Sequence, residues 1–200
     1  AKIAAILEEP PRMGNSDLGV AFSRNQPAWQ QRSQQLLKRL NVRGGEADSS
    51  LIAPLLAGAF ADRIARRRGQ DGRYQLANGM GAMLDANDAL SRHEWLIAPL
   101  LLQGRASPDA RILLALPVDI DELVQRCPQL VQQSDTVEWD DAQGTLKAWR
   151  RLQIGLLTVK VQPLAKPSED ELHQAMLNGI RDKGLSMLNW TAEAEQLRLR

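Results

Sequence analysis

The chain has 200 residues, 44% hydrophobic and 24% charged, a composition that excludes a disordered polypeptide and supplies one or two cored domains. Its net charge of +1 excludes a uniform polycation, yet the charge is segregated: residues 1–80 hold 12 basic against 7 acidic side chains, residues 81–145 hold 4 against 11, and residues 146–200 hold 9 against 6. A single cysteine, Cys127, allows no internal disulfide; with no apolar run near the about 18 residues of a membrane helix and no signal peptide in AKIAAILEEPP, the chain reads as soluble and cytoplasmic.

The elements follow in chain order. AKIAAILEE carries Ile3, Ile6 and Leu7 at helical spacing without an N-cap, and TAEAEQLRLR at the other end starts well at Thr191 but has no stop signal, so both ends read as cut from a longer protein. SDLGVAFSRN, after Pro10-Pro11, is ambiguous. QPAWQQRSQQLLKRLN is a predicted helix with Pro27 in its first turn, an apolar face of Trp29, Leu36, Leu37 and Leu40, and Gly44-Gly45 as its end. DSSLIAPLLAGAFADRIARRRG is predicted as one helix, capped by Ser49 or Ser50 and striped by Ile52, Leu55, Leu56, Ala59, Phe60 and Ile64; its last turn holds the arginines and Gly69 stops it.

From residue 73 the period becomes that of strands. Arg73–Leu76, Met80–Leu84, Trp95–Leu102 and Arg111–Leu116 are predicted strands separated by turn signals, and they suggest a small barrel or sandwich. VDIDELVQR is a short helix closed by Pro128. DTVEWDD and TLKAWRRLQ flank an Asp-Ala-Gln-Gly turn; the run from Leu146 to Val161 is too long for one strand, so Gly155 marks a bulge or bend. PSEDELHQAMLNGIRDKG is a helix with Ser168 and Glu171 as a capping box and Gly184 as its stop. The fold class is α+β.

Motifs for independent catalysis are missing. There is no G-x-x-x-x-G-K-[ST] to cradle a triphosphate. The G-x-G at Gly79-Met80-Gly81 lacks a third glycine and a following helix, so it is a turn between strands. His93 and His173 lie in different modules without Cys partners, which leaves no zinc-ligand set, and Cys127 before Pro128 has no evident activating base. Asp119, Asp121 and Glu122 open a helix, where dipole complementarity accounts for them.

The arginines remain. Arg63, Arg66, Arg67, Arg68 and Arg73 have two readings: cations over a helix C-terminus, or a phosphate-binding surface to which Tyr74 adds a stacking ring. Lys147, Trp149 and Arg151 alternate onto one strand face, with Arg150 opposite, a basic-aromatic pattern that suits RNA or a half-buried core.

The block FADRIARRRG through GRYQLANGMGAMLDANDALSRHEWLIAPLLLQ resembles the C-terminal region of DEAH-type ATP-dependent RNA helicases, and VEWDDAQGTLKAWRRLQIG with LNGIRDKGLSMLNW resembles specifically the bacterial HrpB-type members. The resemblance implies three parts: residues 1–45 as the end of a helical ratchet-like domain, 46–125 as a helix plus an OB-like antiparallel β module, and 126–200 as an HrpB-type extension with a β-hairpin and helices. It implies RecA-like motor domains upstream that use ATP and Mg²⁺, with no cofactor in this segment, and single-stranded RNA, or DNA, as partner. Arg63, Arg66 and Arg67 match the basic helix end and Tyr74 the following strand. The two functional expectations are an accessory part that contacts RNA or closes its channel, and a structural or partner-docking module in which the arginines pair with the acidic middle third and Trp139, Trp149 and Trp190 pack internally.

Overall fold

The structure is a computed structural model; it describes all residues except 12–15, 46–47, 70–71, 105–106, 141–142, 144, 185–190, 192–195 and 197–200. Most of the predicted helix from Thr191, Trp190, and all but Gln143 of the Asp141–Gly144 turn lie outside the described residues. The mixed α+β class is as expected. Two compact units are present, residues 1–132 with 153–159 and residues 133–152 with 160–200.

The first unit opens with three helices, α1 (Lys2–Glu8), α2 (Leu18–Ser23) and α3 (Pro27–Arg39). The ambiguous SDLGVAFSRN is helical because the Asp17 carboxylate accepts from the backbone N–H groups of Gly19 and Val20, at 2.7 and 3.2 Å, and so satisfies the first turn of α2. Pro27 enters the first turn of α3, where its missing N–H has no intrahelical partner to lose. Trp29 is buried and its indole Nε1 donates to the Glu9 carbonyl at 2.9 Å, tying α3 to the end of α1. The predicted stop at Gly44-Gly45 is too late. Asn41 takes a left-handed φ of 54°, and the Val42 N–H closes back on the Leu37 carbonyl at 3.1 Å, which leaves Leu40 exposed.

The largest difference from expectation falls on the arginine stretch. Helix α4 is only Ile52–Ala59; Phe60 leaves helical backbone (φ −135°, ψ 46°), a 3₁₀ turn spans Ala61–Arg63, and Ile64–Arg67 is strand β1. Arginine favours helices, and the apolar stripe runs on through Ile64, but β1 finds ladder partners on both sides: Ala65 faces Leu76 of β2 (Arg73–Leu76) and Leu96 of β4 (Trp95–Leu102). Pairing along both edges outweighs the local preference. With β3 (Gly81–Met83) and β5 (Ala110–Pro117) the strands close into a barrel of order β1-β2-β3-β5-β4, so the four predicted strands become five. Four of its seams are antiparallel; the β3–β5 seam is parallel, a departure from the expected all-antiparallel module.

Strand alternation, interrupted by register shifts in the β4–β5 seam between Ile112 and Leu116, divides the apolar residues into two cores. Ala65, Tyr74, Leu76, Ala82, Leu96, Ala98 and Ile112 fill the barrel, while Ile64, Trp95, Ile97 and Leu114 on its outer side join residues of α1, α2 and α4. That double burial is why β4 reads as an unbroken apolar run. Helix α5 (Ile120–Arg126), capped by Asp119, then leads to a 3₁₀ turn at Pro128–Leu130.

The remaining strands, β6 (Gln132–Asp140), β7 (Thr145–Ile154) and β8 (Leu157–Pro163), form an antiparallel sheet in that order. The run from Leu146 to Val161 is two strands, broken by a turn at Gly155, which has φ +55°. At this hairpin tip Ile154 and Leu157 are buried in the outer core of the first unit. Helix α6 (Glu169–Lys183) starts with the predicted capping box: the Glu171 N–H donates to Ser168 Oγ at 3.2 Å and the Ser168 N–H to Glu171 Oε2 at 2.9 Å.

Candidate nucleic-acid interface

On a strand, consecutive arginines point to alternate faces, so they do not share the arc that a helix end would give them. Arg66 lies on the outer face, parity with Ile64, and its guanidinium is held on three sides. Nε and Nη2 donate to Glu94 Oε1 at 3.3 and 3.2 Å, Nη1 donates to the Thr158 carbonyl at 2.8 Å, and its carbon sits 5.3 Å from the Trp95 ring centroid. Arg67 Nη1 donates to the Arg92 carbonyl at 3.0 Å. Arg68 Nη2 donates to both carboxylate oxygens of Asp109, at 3.0 and 3.1 Å. Arg63 Nη1 donates to the Pro99 carbonyl at 2.5 Å beside the Phe60 ring. The helix C-terminus expected here is replaced by a strand, and Arg63, Arg66, Arg67 and Arg68 all have protein partners, with Arg66 and Arg68 paired to acids of the middle third.

The expected stacking role of Tyr74 is corrected. Its strand places the ring inside the barrel, fully buried, with the hydroxyl within 2.9 Å of the Leu90 and His93 carbonyls. Burial pushes the phenol up to about 12. A ring in that position holds the loop before β4 and offers no face to a base.

In the second unit, Lys147 pairs with Asp140 and Arg150 makes a two-pronged pair with Asp135, at 2.9 and 2.8 Å. The Arg150 hydrogen bond holds the Asp135 carboxyl below its usual range. Arg151 is half-buried and has no hydrogen-bonded or ionic partner among the described residues. Trp139 and Trp149 are half-buried. The acids engaged by Arg66, Arg68, Lys147 and Arg150 all come from the acidic middle third, residues 81–145.

Register reveals what sequence reading missed. Arg73 pairs with Met83, and Met83 pairs with Arg111, so the three stand in one row across β2, β3 and β5. Their neighbours Tyr74, Ala82 and Ala110 point into the barrel, so this row is on the outside, and all three members are exposed. Leu102 on β4 continues the row beside Arg111. Two strand spacings put the Arg73 and Arg111 backbones about 10 Å apart. Neither arginine has an acidic partner among the described residues. The signal for Arg111 was its exposed position in the alternation of ARILLALP, but its juxtaposition to Arg73 follows only from the parallel seam. Arg66, Arg67 and Arg68 line a separate polar depression of about 380 Å³ with Gly69, Gln75 and Glu94.

Comparison with known proteins finds likeness over the whole chain. The family model of the connector region of the ATP-dependent RNA helicase HrpB matches residues 130–164. Over its 200 residues the chain is 98% identical to the ATP-dependent RNA helicase HrpB of Escherichia coli strain K12, of which it covers 25%. A crystal structure of an E. coli DExH-box NTPase HrpB superposes with a TM-score of 0.80 at 98% identity, covering 99% of this chain and 24% of that one. A crystal structure of an Escherichia coli DEAH/RHA helicase HrpB gives 0.75 at 90% identity, covering 99% and 25%. The chain therefore spans about a quarter of the relatives it matches.

Proposed function

Because the chain belongs to the HrpB family, we propose that it is an accessory C-terminal portion of an ATP-dependent RNA helicase and contacts single-stranded RNA through the outer face of an OB-like barrel. ATP and Mg²⁺ are assigned to the remainder of the longer protein, with its RecA-like motor domains, and the setting is the cytoplasm. The observation that carries the reading is the exposed row Arg73–Met83–Arg111: two cations without acidic partners among the described residues flank an apolar side chain. Such a row suits phosphates on either side of a base, a sequence-independent contact. Arg66, Arg67 and Arg68 border it, Arg63 braces β4, and Lys147 and Arg151 add positive charge in the second unit.

The test is fluorescence anisotropy of labelled single-stranded RNA from about 50 to 200 mM salt. Arg73→Glu with Arg111→Glu is expected to weaken binding and to flatten the salt dependence by about 0.7 per lost contact. Equal affinity at low and high salt refutes the reading.

A structural or docking role without RNA contact has its own supporting observation, the Arg66–Glu94 and Arg68–Asp109 pairs. In that case Arg66→Glu with Arg67→Glu lowers the melting temperature, and the Arg73/Arg111 variant leaves no binding to lose.

A further inference from the structure

We propose that Glu94 occupies a phosphate seat on Arg66, and that a phosphodiester of the RNA strand displaces it; this rests on the RNA reading above. The geometry of Arg66 separates its donors into two sets. Nη1 is fixed on the Thr158 carbonyl at 2.8 Å, and the guanidinium lies against the buried Trp95 ring. These contacts hold the group in place whatever its other edge does. That other edge, Nε and Nη2, is the fork that matches a carboxylate or a phosphate. It meets only one oxygen, Glu94 Oε1, at 3.3 and 3.2 Å, both at the long end of charge-assisted bonds.

Glu94 is a weak occupant. Its side chain is 57% exposed, and ion pairs of this kind contribute little because water and salt compete for both charges. Around the fork lie Arg67, Arg68, Gly69 and Gln75, which bound the depression of about 380 Å³ that Glu94 lines. Arg67 and Arg68 add positive potential there. A carboxylate thus stands where a tetrahedral dianion or phosphodiester would be better served. Rotation of one exposed side chain opens the seat, with the Thr158 and Trp95 anchors intact. This seat neighbours the Arg73–Arg111 row along the register Arg66–Gln75–Gly81, so one strand crossing the outer barrel face meets both.

The test is anisotropy of a labelled single-stranded RNA of about 12 nucleotides, within the span one such barrel accommodates, with Glu94→Gln. The amide keeps the shape and removes the competing charge. Affinity is expected to rise about three- to fivefold, the scale of one surface ion pair. Adding Arg66→Lys, which keeps the charge but lacks the fork, is expected to abolish the gain. Unchanged or weaker binding by Glu94→Gln overturns the seat, as does a gain that survives Arg66→Lys. A Glu94→Gln variant whose melting temperature rises with inorganic phosphate at constant ionic strength but whose RNA affinity does not rise would assign the seat to a free phosphate and overturn the strand contact. Loss of binding in the Arg73/Arg111 variant together with no Glu94 effect overturns this inference alone, whereas no effect of either overturns the RNA reading too.

Discussion

Replacing Gly155 by alanine tests how the β7–β8 tip is fastened. Gly155 has φ +55°, and a Cβ there would lie 2.3 Å from the Ala77 carbonyl oxygen and 3.0 Å from its carbon. Two costs arise. Left-handed backbone costs a residue with a Cβ about 1–2 kcal/mol. The clash is with backbone, so the tip itself must lift, which strains the Leu156 N–H bond to the Ala77 carbonyl, now 2.8 Å, and exposes part of Ile154 and Leu157, only 2% and 3% accessible. Full burial of each such side chain stabilises by about 1.5–3 kcal/mol, so partial loss brings the total to roughly 3–5 kcal/mol. Gly69→Ala is the internal control: its φ is +67°, but a Cβ there meets nothing within 4 Å, leaving the backbone cost of about 1–2 kcal/mol alone. Urea unfolding of both variants, followed by tryptophan fluorescence, measures the difference. Equal losses would refute the argument that close contact with Ala77, and not glycine's backbone freedom, fixes this turn.

Other expectations concern charge and capping. The Tyr74 phenol ionises near 10 when unfolded and at about 12 when folded, so its contribution is complete below pH 10 and is lost as pH rises from 10 to 12. About 2–3 kcal/mol should disappear over that window, at 1.36 kcal/mol per pH unit, and Tyr74→Phe should lack this phase in pH-dependent melting. The Asp135 carboxyl is held below its ordinary 3.8 by Arg150, so the stability lost in Asp135→Asn should be evident at pH 5 and shrink as pH falls through the depressed value, read by melting from pH 5 to 2. Ser168→Ala removes one half of the α6 capping box and should cost about 1 kcal/mol, with reduced helicity by circular dichroism. A full-strength helix signal would refute it.

What could be read from the sequence was what is encoded locally. Ser168, Glu171 and Gly184 marked both ends of α6 because capping chemistry lies within a few residues. The alternation in Arg73–Leu76 and the apolar run Trp95–Leu102 set the bounds of β2 and β4. The stretch Ile64–Arg68 misled because its apolar residues continue a helical stripe, while its real determinants, β2 and β4, lie later in the chain. The candidate site failed to appear for the same reason. Whether an arginine is free or occupied depends on Glu94, Asp109 and Thr158, which are 28, 41 and 92 positions from their partners, and the Arg73–Arg111 row depends on a parallel seam without a sequence signature.

The first compact unit is discontinuous in the chain: residues 1–132 are completed by 153–159. During synthesis the barrel strands emerge first, and the outer core still lacks Ile154 and Leu157 until residues 153–159 have left the ribosome, after part of the second unit has already appeared. Order of manufacture and order of closure therefore differ. A released fragment ending at Gln132 should hold a barrel with an uncovered apolar seat beside Ala77, a target for proteases and holdases that is absent once residues 153–159 are present.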